Sequence, residues 1–469
     1  MKRQFILLLV FALLAVGLGG LLWFLNNSAA EPPQESSSIT QTGVDLLQKQ
    51  EGDLTSVEVT NQAGGFTVSF DGKTIRVSDL DETIPLAESK LESMRSGMLS
   101  VHAEQKIEQV SSLSDFGLEQ PRAVVTASYR DDSTYVLEIG ADAPGGQGVY
   151  CKTDDDSVYV FAEQTVSNFL GSLVDLVDTA VTQPPKTESG EAAKIKQVTF
   201  TGQADAEPIT IERKADEEDA ALETFRLVTP GHGSVDSEKE QVLSDLLNIR
   251  ADQAAALNPT DEQLESFGLK EPSAAVEFEY EENGTQQRCV LYAGKSEGAT
   301  VYLMREGRPV VYAIASDRLP WLTMDYGDFV SKRAPMPNIQ ELQSVTVTVP
   351  EQAITFEISG EDDSLLVTSG GKTVDTARFK SYYQSLIGVS ADEYTDTPPA
   401  SDTPLLTVTY TYRDSAKQAD TVCYYEGPTR RAIMQINGGD RFLMREKHVD
   451  ILLKNTQSIQ NDGEIEPTI

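Results

Sequence analysis

If this chain does chemistry, the first place to look is "DFGLEQP", Asp115 to Pro121, which returns as "SFGLKEP", Ser266 to Pro272. An Asp-Phe-Gly can hold magnesium in phosphoryl transfer. That use requires a catalytic loop with its own aspartate, a strand lysine and a glycine-rich loop over the phosphates, and the sequence supplies none of these around it. The second copy also carries Ser266 where the ligand carboxylate would stand. Extended backwards, the two copies share Leu-x-x-Phe-Gly-Leu: Leu113, Phe116, Gly117 and Leu118 in one, Leu264, Phe267, Gly268 and Leu269 in the other. This is the spacing of a Schellman helix end. The glycine takes the left-handed conformation and the leucine after it folds back onto the earlier leucine. Pro121 and Pro272 then block any resumption of helix and open the next strand. The motif reads as architecture used twice.

The remaining candidates are weaker. "AGKS", Ala293 to Ser296, resembles the tail of a phosphate loop, but Cys289 stands where its first glycine is required. "GGQG" at Gly145 reads as a turn. Asp154-Asp155-Asp156 and Glu361-Asp362-Asp363 lack the alternating ligands and closing glutamate of a calcium loop, so hairpin tips explain them better. His102, His232 and His448 are scattered, without ligand spacing to one another or to cysteine. No Gly-x-Ser-x-Gly elbow marks a serine nucleophile. Cys151, Cys289 and Cys423 are too few and too far apart for a disulfide framework and read as small buried thiols. Tyr150, Tyr159, Tyr302 and Tyr312 recur at matching strand positions, which suits cross-strand packing. The expectation is therefore a non-enzymatic protein with no catalytic, cofactor or metal residues to assign.

The elements that would position these residues come in three rounds. Each round opens with alternating strands: "LTSVEVT" then "FTVSF", "IKQVTFT" then "PITIER", "LQSVTVTV" then "AITFEI". An amphipathic helix follows: "PLAESKLESMRSGML" with Leu86, Leu91, Met94 and Met98 on one face, "DSEKEQVLSDLLNIR" with Val242, Leu246 and Ile249, and "DTARFKSYYQSLIGV". Two strands ending in Gly140, Gly294 or Gly427 come next, then a strand bearing Val158-Tyr159-Val160, Val311-Tyr312-Ala313 or Arg441-Phe442-Leu443, then a closing helix. The third round has "TPPASDTP" in place of the Gly-Leu corner. The fold expected is α+β: an N-terminal transmembrane helix, then three tandem modules of mostly antiparallel sheet with helices packed on one face, over residues 50–183, 190–333 and, more divergent, 338–456. Residues 457–469 read as a disordered tail.

The N-terminus carries an address. Met1 to Gln4 precede an uncharged apolar run from Phe5 to Leu25, long enough for a hydrocarbon core of ~30 Å. Lys2 and Arg3 stand before it and no further Lys or Arg comes until Lys49, which puts residues 1–4 in the cytoplasm and the bulk of the chain outside. A cleaved signal peptide ending near Ser28-Ala29-Ala30 is the competing reading. Residues 26–49, rich in Ser and Pro, read as a flexible stalk. The net charge of −36 argues against nucleic acid and against an anionic membrane surface as partners of the rest.

Taken together, the apolar span, the repeated Phe-Gly-Leu-x-x-Pro, the strand pair ending in Gly and the Val-Tyr-Val strand resemble the bacterial domain-of-unknown-function 4340 family. The resemblance covers about Leu54 to Val330 well and the rest more loosely. It implies a membrane-anchored, extracytoplasmic protein of unestablished biochemical function, found in some bacteria beside the parts of a gliding-type ABC transporter, and it brings no catalytic residues. The expected function is a binding or accessory component of a cell-envelope complex, with the bilayer as one partner, through residues 5–25, and an envelope protein as another. An envelope hydrolase, which would need carboxylates converging in a cleft between modules, and a structural or adhesive stalk are the alternatives.

Overall fold

A computed structural model of the chain describes residues 43–184, 193–202, 207–214, 223–461 and 463–467. The expected anchor, Phe5–Leu25, and most of the expected stalk lie outside the described residues. Among the described residues no helix is long and apolar enough to cross a membrane.

The fold is α+β, mostly antiparallel sheet with few helices, and it has four sheets where the repeat pattern predicts three. From edge to edge the first large sheet runs Thr74–Val77, Gly64–Asp71, Leu54–Asn61, Ala123–Tyr129, Thr134–Asp142, Val149–Thr153, Val158–Phe161, Gln105–Lys106. The second repeats that order: Phe225–Thr229, Ile209–Arg213, Lys194–Thr201, Ala274–Glu282, Thr285–Glu297, Thr300–Arg305, Val310–Ala315, Gln253–Leu257. The third repeats it again, with Leu366–Ser369, Gln352–Ser359, Leu342–Val349, Leu406–Tyr412, Asp420–Glu426, Arg431–Ile436, Arg441–Arg445 and Glu393–Tyr394, and adds Lys372–Val374 outside the first of these. The alternation seen in the sequence sets which side is buried. In Ala123–Tyr129 the odd-numbered residues Ala123, Val125, Ala127 and Tyr129 are buried and those between are half-exposed.

The fourth sheet corrects the stalk. Val44–Gln48 pairs antiparallel with Ser100–Ala103. Val44, Leu46 and Leu47 pack against the core of the first large sheet, so this end of the Ser/Pro-rich stretch has enough apolar surface to be held down. The disordered tail is corrected likewise. A closing helix spans Glu446–Gln460, and beyond it the chain folds back on that helix. Asn455, fully buried, donates to the Glu466 carbonyl at 2.7 Å and accepts from the Glu466 amide at 2.8 Å, while Ile465 packs on the core.

Five helices matter here: α1 (Glu88–Leu99), α2 (Glu240–Asp245), α3 (Asp261–Ser266), α4 (Thr376–Ile387) and α5 (Glu446–Gln460). α1 buries Leu91, Met94 and Met98, whereas Leu86 stands before it, bridged to Val177. The single helix expected over "DSEKEQVLSDLLNIR" is instead α2 between two 3-10 turns, Ser237–Lys239 and Leu246–Asn248. Adjacent Leu246 and Leu247 are both buried, which the tighter turn accommodates. The closing helices of the first two rounds are broken into short turns at Gly171-Ser172 and at Pro320. One hydrophobic core serves the first sheet. A second runs without interruption through the second and third sheets and takes in Ile84, Val177 and Val181 from the end of the first round.

Candidate functional site between the second and third sheets

The Phe-Gly-Leu segments stand at sheet corners. Leu113–Phe116 is a 3-10 turn and α3 is the corresponding helix, opened by a Thr260–Gln263 capping box. Gly117 has φ 66° and Gly268 φ 69°. The Leu118 amide donates to the Leu113 carbonyl at 3.0 Å and the Leu269 amide to Leu264 at 2.8 Å; Gly117 donates to Ser114 at 3.2 Å and Gly268 to Glu265 at 3.0 Å. Leu118 and Leu269 are buried, while Asp115 and Ser266 are exposed. Gly140 and Gly294 lie directly beneath, where any Cβ would collide with the carbonyl of Phe116 or Phe267. In the third round residues 395–405 form no helix.

The other sequence candidates are used structurally. Lys295 of "AGKS" lies in the strand Thr285–Glu297, its amide donating to the Phe267 carbonyl at 2.9 Å and its ammonium paired with Glu297 at 2.7 Å. Asp155 accepts from Thr153, Ser157 and Tyr159 within its hairpin; the Thr153 hydroxyl contributes most, and the carboxyl is held down at about 2. Asp154 accepts from the Val136 amide, and Asp156 pairs with Lys152. Glu361 caps its own turn against Ser364, and Asp362 accepts from Gln340. His102 pairs with Asp45 at 2.7 Å. Burial pushes the Cys151 thiol up to about 12 and raises that of Cys289, and all three cysteines are free. Of the four tyrosines, Tyr159 and Tyr312 are buried, Tyr150 meets Phe116 and Tyr302 meets Phe267. Among the described residues no group of three or more His, Cys, Asp or Glu is placed to hold a metal ion.

A concave feature lined by several polar groups lies where the second sheet meets the third. It is a cleft of about 530 Å³ lined by, among others, Glu223, His232, Arg333, Met336, Asp420 and Asp440. The segment Ser331–Met336 forms one wall and is fixed at both ends: the Ser331 amide donates to Ser234, and the Ala334 amide to Val389 at 2.9 Å. The turn between Arg431–Ile436 and Arg441–Arg445 brings Asp440 against Tyr326, whose hydroxyl donates to Oδ1 at 2.9 Å. Close approach here depends on Gly231 and Gly233. A Cβ at Gly231 would strike the Tyr326 hydroxyl, and one at Gly233 would crowd Val330 and Asp440.

Burial raises the Asp440 carboxyl above its ordinary value, against the lowering effects of the Tyr326 hydrogen bond and of His232. The other two acids also accept hydrogen bonds. Glu223 accepts from the Ser331 hydroxyl, and Asp420 accepts from Tyr412 and from Asn437 at 2.9 Å. Met336 is 50% exposed at the rim. Asp440, His232 and Arg333 thus line the cleft together with the exposed apolar side chain of Met336. Sequence reading singled out only His232 of these residues. Tyr326 and Asp440 come from different rounds, and the one local hint was the pair of glycines around His232.

A family model described as a domain of unknown function, DUF4340, matches residues 79–251 and again 226–407. Each matched stretch begins within one round and ends beyond the start of the next, so each contains a junction. No curated protein and no solved structure matches the chain.

Proposed function

Because the chain belongs to the DUF4340 family of domains of unknown function, we propose that it is a membrane-anchored extracytoplasmic protein serving as a non-enzymatic binding or accessory component of a cell-envelope complex, of the transporter-associated kind. The anchor rests on the apolar run Phe5–Leu25 and the Lys2-Arg3 that precedes it. The observation that carries the binding role is the cleft itself. All three of its carboxylates accept from structural partners, and its rim presents Arg333, His232 and the half-exposed Met336, a mixture of charge and apolar surface suited to holding a polypeptide segment. Crosslinking in intact membranes, followed by detergent extraction and mass spectrometry, tests it: a membrane protein should come down reproducibly with this chain. Recovery of the chain alone would refute the accessory role.

One observation favours a second reading. Asp440 is a carboxyl of raised pKa in a cleft between two sheets, the environment of a general acid in an envelope hydrolase. Hydrolysis of cell-wall material by the purified full-length protein, lost in Asp440→Asn, would establish that reading over the first.

A further inference from the structure

The two junctions between large sheets are built alike. At the first, a turn capped by Ser172 and Asp175, Leu173–Leu176, packs beside the edge strand Gln253–Leu257 of the second sheet. The chain then runs along the segment after α2: Ala180 bridges Arg250, and the Val181 amide donates to Ile249 at 2.9 Å. At the second, a turn capped by Asp325 and Asp328, Tyr326–Phe329, packs beside the edge strand Glu393–Tyr394 of the third sheet. There Arg333 bridges Ser390 and the Ala334 amide donates to Val389. Both turns end in an apolar pair, Leu176-Val177 and Phe329-Val330.

Register identifies the receiving position. Ala254 lies opposite Tyr312 in the second sheet, and Tyr394 opposite Phe442 in the third. Ala254 is buried, and Tyr394 is met edge-on by Tyr326 at 5.1 Å. In the first sheet the same position, opposite Tyr159, is Lys106. It is exposed, as are Gln105 and Glu108, and Val110 close by is 40% exposed. The counterpart of the Val181 and Ala334 contacts does exist here, since the Lys49 amide donates to Leu99. Counting back from Lys49 to the place of the capped turn reaches Val44, which is already committed to the strand Val44–Gln48. Among the described residues, the place that Leu176 and Phe329 fill at the other two junctions is thus held by a strand residue.

We propose that the edge Gln105–Lys106, with Val110, is a docking site for a partner protein carrying a module of this same kind, which seats a Ser- or Asp-capped turn and its apolar pair there as the chain does at its own two junctions. Continuity with those two interfaces is the argument, and each family match spans one of them. A second copy is disfavoured because its two such turns are already seated, while α5, which closes the third round, packs against α4 of its own sheet. A donor of this shape carries an acidic cap, Asp175 or Asp328 in the internal cases, and the receiving edge carries Lys106 where the second sheet has Ala254.

The proposal rests on the reading of the chain as a binding component, and its test is separable from that reading. A fluorescent peptide of residues 170–183, "LGSLVDLVDTAVTQ", is titrated into full-length protein in detergent. Saturable binding is expected. It should weaken about tenfold in Val110→Asp and in Lys106→Glu, with melting temperatures unchanged, and equally when the peptide carries Leu176→Asp. No saturable binding, or binding insensitive to both protein substitutions, overturns the docking edge. Membrane crosslinks that persist in that event would leave the accessory role standing and move the partner elsewhere.

Discussion

The ring of Phe116 stands edge-on to that of Tyr150, centroids 4.9 Å apart at 80°, and Phe267 and Tyr302 meet at the corresponding place at 4.6 Å, tilted at 54°. The phenylalanine of each Phe-Gly-Leu corner is thus clamped by the tyrosine of a strand two places along the sheet, which ties the helix end to the sheet. Such a pair contributes about 0.5–1.5 kcal/mol beyond its buried area. Phe116→Leu and Tyr150→Leu should each destabilise, and the double variant should lose less than the sum by about that amount in a denaturant-melt cycle. Strict additivity would remove the clamp.

The corner glycines should be far less replaceable than the acid beside them. A side chain at Gly117 would be in the left-handed region and 2.8 Å from the Ala141 amide nitrogen; at Gly268 it would be 2.7 Å from that of Lys295. Gly117→Val or Gly268→Val should lower stability by roughly 1 kcal/mol or more. Asp115→Ser, at an exposed position, should leave the melting temperature unchanged.

Asp440 sets a pH dependence with a definite sign. Its folded-state pKa is raised, so the folded protein holds this proton more tightly than the unfolded chain does. The buried charge lowers stability above the folded pKa, and the penalty fades as pH falls through that value toward the ordinary 3.8. Asp440→Asn, whose amide oxygen can still accept from Tyr326, should therefore melt higher than the parent near pH 7. The two curves should converge near pH 4, and a constant offset across pH would show that the titration is not responsible.

Thiol reactivity reports the core of the first sheet. Cys151 is fully buried with its pKa pushed up to about 12, and the thiolate is the reactive form. Iodoacetamide at neutral pH should leave Cys151 and Cys289 unmodified in folded protein and label both after denaturation, as read by peptide mass spectrometry.

Local patterns carried much of the fold in the sequence. Period-two alternation marked strands such as Ala123–Tyr129 and Leu406–Tyr412, and Leu-x-x-Phe-Gly-Leu marked a helix end because one glycine backbone angle and one leucine contact define it. What escaped reading depends on distant partners. Val44–Gln48 looks like the end of a stalk until Ser100–Ala103 is beside it, and 463–467 looks like a tail until Asn455 holds Glu466. The cleft escaped for the same reason, since Tyr326 and Asp440 are 114 residues apart and neither sits in a recognisable motif.

The central claim is that this chain works by holding a partner at the membrane, and a photo-crosslinking residue placed at Met336, on the cleft rim, tests it most directly. Irradiation of cells should yield a discrete adduct with one envelope protein, reduced when Asp440 or Arg333 is replaced by Ala. The absence of any adduct, together with cell-wall hydrolysis by the purified protein that Asp440→Asn abolishes, would contradict the account and make the cleft an active site.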